Sequence, residues 1–115
     1  MSSKKEGGKK FDSNKPDFTL IPIEAMEECS KAFMYGEKKY GRYNFTGGLT
    51  VNRLLGAALR HMYQAMWKED NDPESNEHHL GHALASISMA IYMIKNRKDL
   101  DDRFIKVKDN ENDTK

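Results

Sequence analysis

The sequence contains a single cysteine, Cys29, so no intrachain disulfide can form. It also lacks an apolar run near the roughly 20 residues that a membrane-spanning helix needs. Its basic beginning has no apolar stretch of the kind found in secretory signals. These absences argue against a disulfide-rich secreted scaffold and against an integral membrane protein. We therefore expect a protein of the reduced cytoplasm that has no membrane partner.

An excess of charge of one sign is also lacking. The 19 lysines and arginines are balanced by 18 aspartates and glutamates, for a net charge of +1. Proteins that coat nucleic acid normally carry a basic excess on the binding domain, so no stable nucleic-acid complex is expected. A balanced chain still accommodates a local cluster of cations, which is all that a phosphate-binding pocket requires.

The chain divides into three segments by composition. Residues 1–20 contain glycine and proline and no helical period, which indicates a flexible or extended arm. Residues 21–98 carry the helical domain, and residues 99–115 form a polar tail that we expect to be partly disordered. Because both ends are polar, the apolar core is small and marginally stable alone. We therefore expect a homo-oligomer, either a dimer or a tetramer.

Apolar residues recur at helical spacing in three stretches of the middle segment. Thr50 is well placed to cap the second stretch. The pattern predicts an all-α fold, a small antiparallel bundle of three main helices that oligomerisation completes. The predicted helices run from Pro22 to Lys39, from Val51 to Trp67 and from Glu77 to Arg97.

The three helices differ in how their apolar residues are distributed. The third is apolar nearly all round between residues 83 and 94, which is typical of a central helix or one shared with a partner chain. Gly56 weakens the second helix unless another helix passes close to it. The inward stripe of the first helix is predicted to consist of Met26, Cys29, Phe33 and Tyr40.

Histidines interrupt the apolar faces of the second and third helices. His79 and His82 share one face of the third helix, and His61 interrupts the second. If the two helices form an antiparallel hairpin turning near residue 72, the three imidazoles converge. Converging imidazoles suit metal ligation or proton transfer. The adjacent loop adds the carboxylates of Glu69, Asp70, Asp72, Glu74 and Glu77.

These histidines and carboxylates also have a purely structural interpretation. A histidine in a helix is usually a packing residue whose ring nitrogens are satisfied within the protein. Acidic residues near the start of a helix often only complement its dipole. The residues themselves leave both interpretations open.

A second cluster is basic and aromatic, and it lies at the end of the first helix and in the loop that follows. Cations bind phosphate oxygens, aromatic rings stack on bases, and asparagine pairs with a base edge. Arg53 and Arg60 are seven residues apart on the second helix and could reach the same phosphates. Together these residues suit a nucleotide ligand, and the alternative is a solvated helix end, where cations are favoured anyway. The cluster consists of Lys38, Lys39, Tyr40, Arg42, Tyr43, Asn44 and Phe45.

An ordered series of short motifs resembles a phage-encoded family, the N-terminal domain family of dATP/dGTP diphosphohydrolases. That family is similar to a distant branch of the all-α, MazG-like nucleoside triphosphate pyrophosphohydrolases. The motifs are Lys10-x-Asp12-x-x-Lys15-Pro16, Leu20-Ile21-Pro22-x-Glu24-Ala25-Met26, Tyr35-Gly36-x-Lys38-Lys39-Tyr40-Gly41, Asn44-Phe45, Asn52-Arg53-Leu54, Arg60-His61, Glu69-Asp70-x-Asp72-Pro73-Glu74-Ser75 and His79-Leu80-x-His82-Ala83.

The resemblance implies cleavage of a purine deoxynucleoside triphosphate between its α- and β-phosphates, in the host cytoplasm, with Mg²⁺ or Mn²⁺. The residues that match the family's site are Glu24, Lys15, Lys39, Asn44, Arg53, His61, Asp72, Glu74, His79 and His82. Together with the residue patterns, this predicts three roles. The predicted metal ligands are His79, His82, Asp72 and Glu74. The predicted catalytic residues are Glu24, Glu28 and His61. The predicted substrate-binding residues are Lys15, Lys39, Tyr40, Asn44, Arg53 and Arg60.

The chain departs from MazG-like enzymes, which hold their metal with the glutamates of E-x-x-E and the acidic pair of E-x-x-D. Here the corresponding helices carry Arg60-His61 and His79-Leu80-Gly81-His82. Imidazoles suit Mn²⁺, Zn²⁺ or Fe²⁺ better than Mg²⁺, which prefers oxygen.

Two function hypotheses follow from this departure. The first is a hydrolase in which a metal lowers the pKa of the attacking water and Glu24 or Glu28 acts as general base. The second is a non-catalytic protein that sequesters a nucleotide or a nucleotide second messenger, its histidines bonding to phosphate or base. A helical interaction module with packed histidines stays open as a third possibility.

Overall fold

The computed structural model describes residues 14–104, and this range is all-helical, without a strand. The predicted all-α fold with three main helices is confirmed. The predicted boundaries differ from the observed ones by at most two residues. The helices are α1 (Ile23–Tyr40), α2 (Val51–Met66) and α3 (His79–Asn96). Short 3₁₀ turns occupy Phe18–Leu20, Asn44–Gly47 and Lys98–Leu100.

The helix ends follow from local sequence. Thr50 caps α2 as predicted, its hydroxyl accepting a hydrogen bond from the backbone N–H of Arg53 at 3.4 Å. The start of α3 is capped by His78, whose Nδ1 accepts from the N–H of Leu80 at 3.0 Å. Helix α1 ends at Gly41, whose φ of 95° is a conformation that glycine adopts without strain.

Helix α3 lies at the centre and packs against both α1 and α2, which confirms its interpretation as a central helix. The buried apolar core joins the start of α2 to the end of α3, through Val51, Leu54, Ala90 and Met93. The core therefore lies at the end of the α2–α3 pair opposite the histidines. Partly buried residues packed around it are Phe45, Leu49, Leu55, Met89, Ile94 and Leu100.

The predicted inward stripe of α1 is wrong for three of its four residues. Met26, Phe33 and Tyr40 are exposed, and Cys29 alone of the four is partly buried. The residue of α1 that is buried is the small Ala32. Large apolar side chains dominate a hydrophobicity pattern, whereas helices that approach each other closely require small ones. Helix α1 makes a close approach of this kind.

The close approach of α1 to α3 is made at Gly81. A Cβ atom on this residue would lie 2.5 Å from the backbone oxygen of Glu28 in α1, closer than real Cβ contacts allow. The sequence pointed instead to Gly56, where the nearest atom to such a Cβ is the Arg60 guanidinium at 3.8 Å. Glycine is therefore required on α3, one turn into the helix, and space remains beside Gly56.

The residues that follow α3 fold back onto the start of α2. The Arg97 guanidinium donates to the backbone oxygen of Thr46 at 2.8 Å. The Asp102 carboxylate accepts from the backbone N–H of Asn52 at 2.9 Å, and the Asn52 amide donates to the Asp102 backbone oxygen. The beginning of the segment 99–115 therefore belongs to the helical body, and residues 105–115 lie outside the described range.

At the other end, the last residues of the predicted flexible or extended arm form a 3₁₀ turn, which Asp17 caps by accepting from the N–H of Thr19. Residues 1–13 of the predicted arm lie outside the described range. None of the helices between residues 14 and 104 has the length and apolar character needed to cross a membrane.

Candidate functional site

The three histidines meet where the second half of α2 faces the start of α3. The Nδ1 atoms of His61 and His79 lie 2.9 Å apart. The His61 ring stacks on that of His82, with centroids 4.7 Å apart and planes inclined by 17°. The convergence predicted from hairpin geometry is confirmed, because antiparallel helices place these positions at the same level.

His79 is the buried member of the cluster, with 0% of its surface exposed. Its Nε2 lies 2.7 Å from the Glu69 carboxylate, and its Nδ1 pairs with His61. A buried polar group requires hydrogen-bond partners, and both ring nitrogens of His79 find them within the protein.

His82 is held on its other side by the loop that joins α2 to α3. Its Nε2 lies 2.7 Å from the Ser75 hydroxyl and 3.9 Å from the Asp72 carboxylate. Burial lowers the pKa of His82, although Asp72 and Glu77 oppose the shift. Burial also lowers the pKa of His61, and the neighbouring imidazoles of His82 and His79 add to this shift. Both rings are therefore held in the neutral form at neutral pH.

The loop between α2 and α3 is built to present these partners. Its backbone closes through bonds from the N–H of Asp72 to the oxygen of Glu77 and from the N–H of Asn76 to the oxygen of Asp72. Asn76 adopts a left-handed conformation with φ 61°, which asparagine tolerates better than most residues. The loop joins α3 through a 2.7 Å bond from the N–H of His79 to the oxygen of Asp70.

One carboxylate of the loop reaches across to α1. The Oε2 atom of Glu74 accepts from Lys39 Nζ at 2.6 Å and from the Tyr35 hydroxyl at 3.0 Å. These bonds lower the pKa of Glu74, and the bond to Glu74 raises the pKa of Lys39. Burial, with the bond to Glu74, raises the pKa of Tyr35. The three residues tie the loop to the last two turns of α1.

A cavity of about 750 Å³ is enclosed by all three helices, by the segment that follows α1 and by this loop, with His61 and His82 in its wall. Its volume falls within the range of small-molecule sites. Aromatic residues line much of it, including Phe33, Tyr35, Tyr43 and Phe45. The predicted site residues that line it are Lys39, Tyr40, Asn44, Arg60, His61, Asp72, Glu74 and His82.

The other predicted site residues do not line this cavity. Glu24 and Glu28 share a helix face with Tyr35 and Lys39, but Glu28 lies about 10 Å before Tyr35 along the helix axis at 1.5 Å per residue. Glu28 instead pairs with Lys31 at 3.6 Å. The Glu28 backbone also lies against Gly81, between His79 and His82 on α3, but neither glutamate lines the cavity. Lys15 and Arg53 are exposed away from the cavity, and His79 is buried behind its wall.

The predicted metal ligands His79, His82, Asp72 and Glu74 are not assembled as a coordination shell. Between residues 14 and 104 no group of three or more His, Cys, Asp or Glu side chains is arranged to hold a metal ion. Both nitrogens of His79 are used by Glu69 and His61, and Glu74 is bound by Lys39. A divalent metal ion therefore does not fit these four side chains in this arrangement.

Sequence reasoning missed two residues of the site, Tyr35 and Ser75. Tyr35 lies one turn before Lys39, and this spacing alone would have placed it on the cavity face. Ser75 bonds to His82 through the path of the loop, for which the sequence offered no signal beyond its position in the acidic motif.

Comparison with known proteins bears on this geometry. The model of the family described as dATP/dGTP diphosphohydrolase, N-terminal, matches residues 5–103. The chain belongs to this family. The matched range contains all three helices, the histidine cluster and the acidic loop, so the resemblance seen in the sequence motifs is confirmed.

One curated protein with a similar sequence is a dATP/dGTP diphosphohydrolase of Salmonella phage PMBT28. It is 38% identical over 96 residues, which cover 84% of this chain and 33% of the relative. The chain therefore spans about a third of the length of that protein. No solved structure matches the chain.

Proposed function

We propose that this chain binds a purine deoxynucleoside triphosphate and hydrolyses it to the monophosphate and pyrophosphate. Membership of the family and the name of the phage relative support this reaction. The observation that carries the proposal is the cavity, which is lined by the cations Lys39 and Arg60 and by the imidazoles of His61 and His82.

Three cations line the cavity, Lys39, Arg42 and Arg60, and Arg42 is held by Glu37. Arg60 makes no ion pair within the described part of the chain. Lys39 is paired with Glu74, but both side chains are well exposed, at 42% and 64%. Exposed ion pairs contribute little stability, so a phosphate group can replace the Glu74 carboxylate at low cost. The aromatic lining supplies a surface on which a base can stack.

The reaction requires a base that accepts one proton. Water attacks the α-phosphorus, its bond to the bridging oxygen breaks, and pyrophosphate leaves with the electron pair. The attacking water loses its proton to His61, whose ring lines the cavity and is neutral because burial lowers its pKa. Glu24 and Glu28 do not line the cavity, so in this proposal the role of base falls to His61.

A pyrophosphate-release assay tests the proposal. The pure chain is incubated with each of the four deoxynucleoside triphosphates in EDTA, in Mg²⁺ and in Mn²⁺, since a metal requirement stays a proposal. We expect dATP and dGTP to be turned over in preference to dCTP and dTTP. Absence of pyrophosphate under every condition would contradict the proposal.

Substitutions locate the reaction in the cavity. Lys39→Met and Arg60→Met should each raise KM by roughly 10- to 100-fold, the usual effect of losing a bond to a charged group. Lys38→Met is the matched control, because Lys38 is the neighbouring lysine on α1 and does not line the cavity. Equal effects at Lys38 and Lys39 would argue that the substrate binds elsewhere.

A second candidate function is sequestration of a nucleotide or nucleotide second messenger without hydrolysis. The observation that favours it is the arrangement of the predicted metal ligands, which bond to protein partners instead. In that case a nucleotide raises the melting temperature and is recovered intact afterwards. Pyrophosphate release excludes this alternative.

The proposal has three further parts, which come from the sequence. We propose that the chain is distantly related to MazG-like pyrophosphohydrolases, that it acts in the host cytoplasm and that it associates as a dimer or tetramer. Self-association is supported by a stripe of exposed apolar residues along α2 and just after it, Leu59, Met62, Tyr63, Met66 and Trp67.

A further inference from the structure

A hydrogen-bonded chain runs from the loop through two imidazoles to the cavity. Its members are Glu69, His79 and His61. We propose that Glu69 and His79 fix His61 in the tautomer that carries its proton on Nδ1, so that the Nε2 lone pair faces the cavity as a proton acceptor. The use of that acceptor rests on the proposed function, whereas the tautomer itself does not.

The first link fixes the proton of His79. The Glu69 carboxylate lies 2.7 Å from His79 Nε2 and, when ionised, can only accept. The proton of the bond is therefore on Nε2. Because His79 is fully buried, no bulk water competes for either ring nitrogen.

The second link, between His79 and His61, determines which nitrogen of His61 carries the proton. A neutral His79 with its proton on Nε2 has a lone pair on Nδ1. The Nδ1 atoms of the two rings are 2.9 Å apart, which is a hydrogen-bond distance and requires one donor and one acceptor. The donor is then Nδ1–H of His61.

The third link leaves His61 Nε2 without a proton. In the described range no residue forms a hydrogen bond with this atom, and the His61 ring lines the cavity. Stacking on His82 fixes the plane of the ring. The charged or titratable groups that act on His61 are His79, His82, Asp72 and Arg60.

The chain also explains why the predicted metal set is not assembled. A histidine whose two nitrogens are both hydrogen-bonded within the protein has no lone pair left for a metal, so His79 acts between Glu69 and His61 instead. Glu69 touches His79 and not the cavity, which makes it a positioning residue. The two histidines of α3 thus orient His61, His79 through its hydrogen bond and His82 through stacking.

Imidazole tautomers can be read directly by NMR. We would record long-range ¹H–¹⁵N correlations of the histidine rings in the ¹⁵N-labelled full chain, without nucleotide, at about pH 8, above the usual histidine pKa. The expected result is the Nε2–H tautomer for His79 and the Nδ1–H tautomer for His61. The Nε2–H tautomer at His61, or an imidazolium at His79, would overturn the proposal.

Variants of the loop test the cause of the tautomer. Glu69→Ala should release His61 toward its Nε2–H tautomer, and Glu69→Gln, which keeps an acceptor oxygen, should restore the Nδ1–H form at least in part. Asp70→Asn is the matched control, since it removes the neighbouring carboxylate and should leave both rings unchanged. If His61 kept the wild-type tautomer in Glu69→Ala, the proposal would be overturned. If the alanine variant does not fold, the His61 tautomer is measured in Glu69→Gln instead.

Two further measurements separate this inference from the alternatives. Zn²⁺, a diamagnetic ion that binds imidazole, should leave the ring nitrogens of His79 unshifted, and a shift of either nitrogen to the range of metal-bound imidazole would restore the metal assignment. In the pyrophosphate assay, Glu69→Ala should lower kcat about tenfold or more, within the usual contribution of general bases, with KM nearly unchanged. If no pyrophosphate forms, the proposed function fails, while the tautomer spectrum still decides this proposal.

Discussion

Each imidazole of the histidine cluster is held by a hydrogen bond, either to the loop between α2 and α3 or to another imidazole. The loop supplies Glu69 to His79 and Ser75 to His82, and His61 bonds to His79. This network is already formed without a ligand, so no free energy is needed to arrange it during the reaction. At the scale of residues, the site is therefore preorganised by the loop.

Stability should fall as the pH is lowered through the histidine range. Burial lowers the pKa values of His61 and His82, so below about 6.5 the unfolded chain binds more protons than the folded one. The free energy of unfolding should then decrease between about pH 7 and pH 5.5, and His82→Gln should reduce that slope. Urea unfolding at a series of pH values measures both, and stability that rises in this interval would contradict the pKa directions.

The sequence predicts the part of the site that follows from regular helix geometry. That His61 and His82 lie at the same height along the helix pair followed from the helix rise and the position of the turn. The bond between His61 and His79, and the choice of Glu69 among five loop carboxylates, depend on rotamers and on the path of the loop. No periodicity records that path, so these contacts emerged only from the structure.

At the scale of elements, helix positions were readable and helix packing was only partly so. Capping and spacing located all three helices, and the apolar character of α3 identified the central one. The face of α1 was misassigned because it meets α3 through small residues such as Ala32. A hydrophobicity pattern gives most weight to large apolar side chains, whereas two helix backbones come into close contact only where the side chains between them are small.

The segment after α3 should stabilise the start of α2. Asp102→Ala removes the acceptor of the Asn52 N–H, an unsatisfied donor in the first turn of α2, and should lower the free energy of unfolding by about 1 kcal/mol. Asp101→Ala is the matched control, because the Asp101 carboxylate bonds to Arg103, two residues along the chain, and not to the start of α2. Chemical denaturation measures both variants, and an equal loss in the two would contradict a capping role for Asp102.

At the scale of the whole molecule, much apolar surface stays in contact with solvent. Tyr63 on α2 is 64% exposed, and its neighbours one turn before and after, Leu59 and Met66, are exposed as well. Large exposed apolar patches are unusual on monomers and mark interaction surfaces. The oligomer expected from the small core stays a prediction, and this stripe is where it can be tested.

We expect the wild-type chain to elute as a dimer or tetramer in size-exclusion chromatography with light scattering. Tyr63→Lys should shift it toward the monomer, because a two-fold interface repeats the same substitution on both sides. Ile23→Lys on α1 replaces an equally exposed apolar residue outside the stripe and should leave the mass unchanged. A monomeric wild-type chain would refute self-association.

Gly81 has an effect beyond the contact that it permits. It lies between His79 and His82 on α3, and its missing side chain lets the backbone of α1 come within reach at Glu28. The same helix carries Tyr35 and Lys39, which line the cavity. The width of the cavity is thus set by a position that does not line it. A single larger side chain there would change the size of ligand that fits, with every lining residue left as it is.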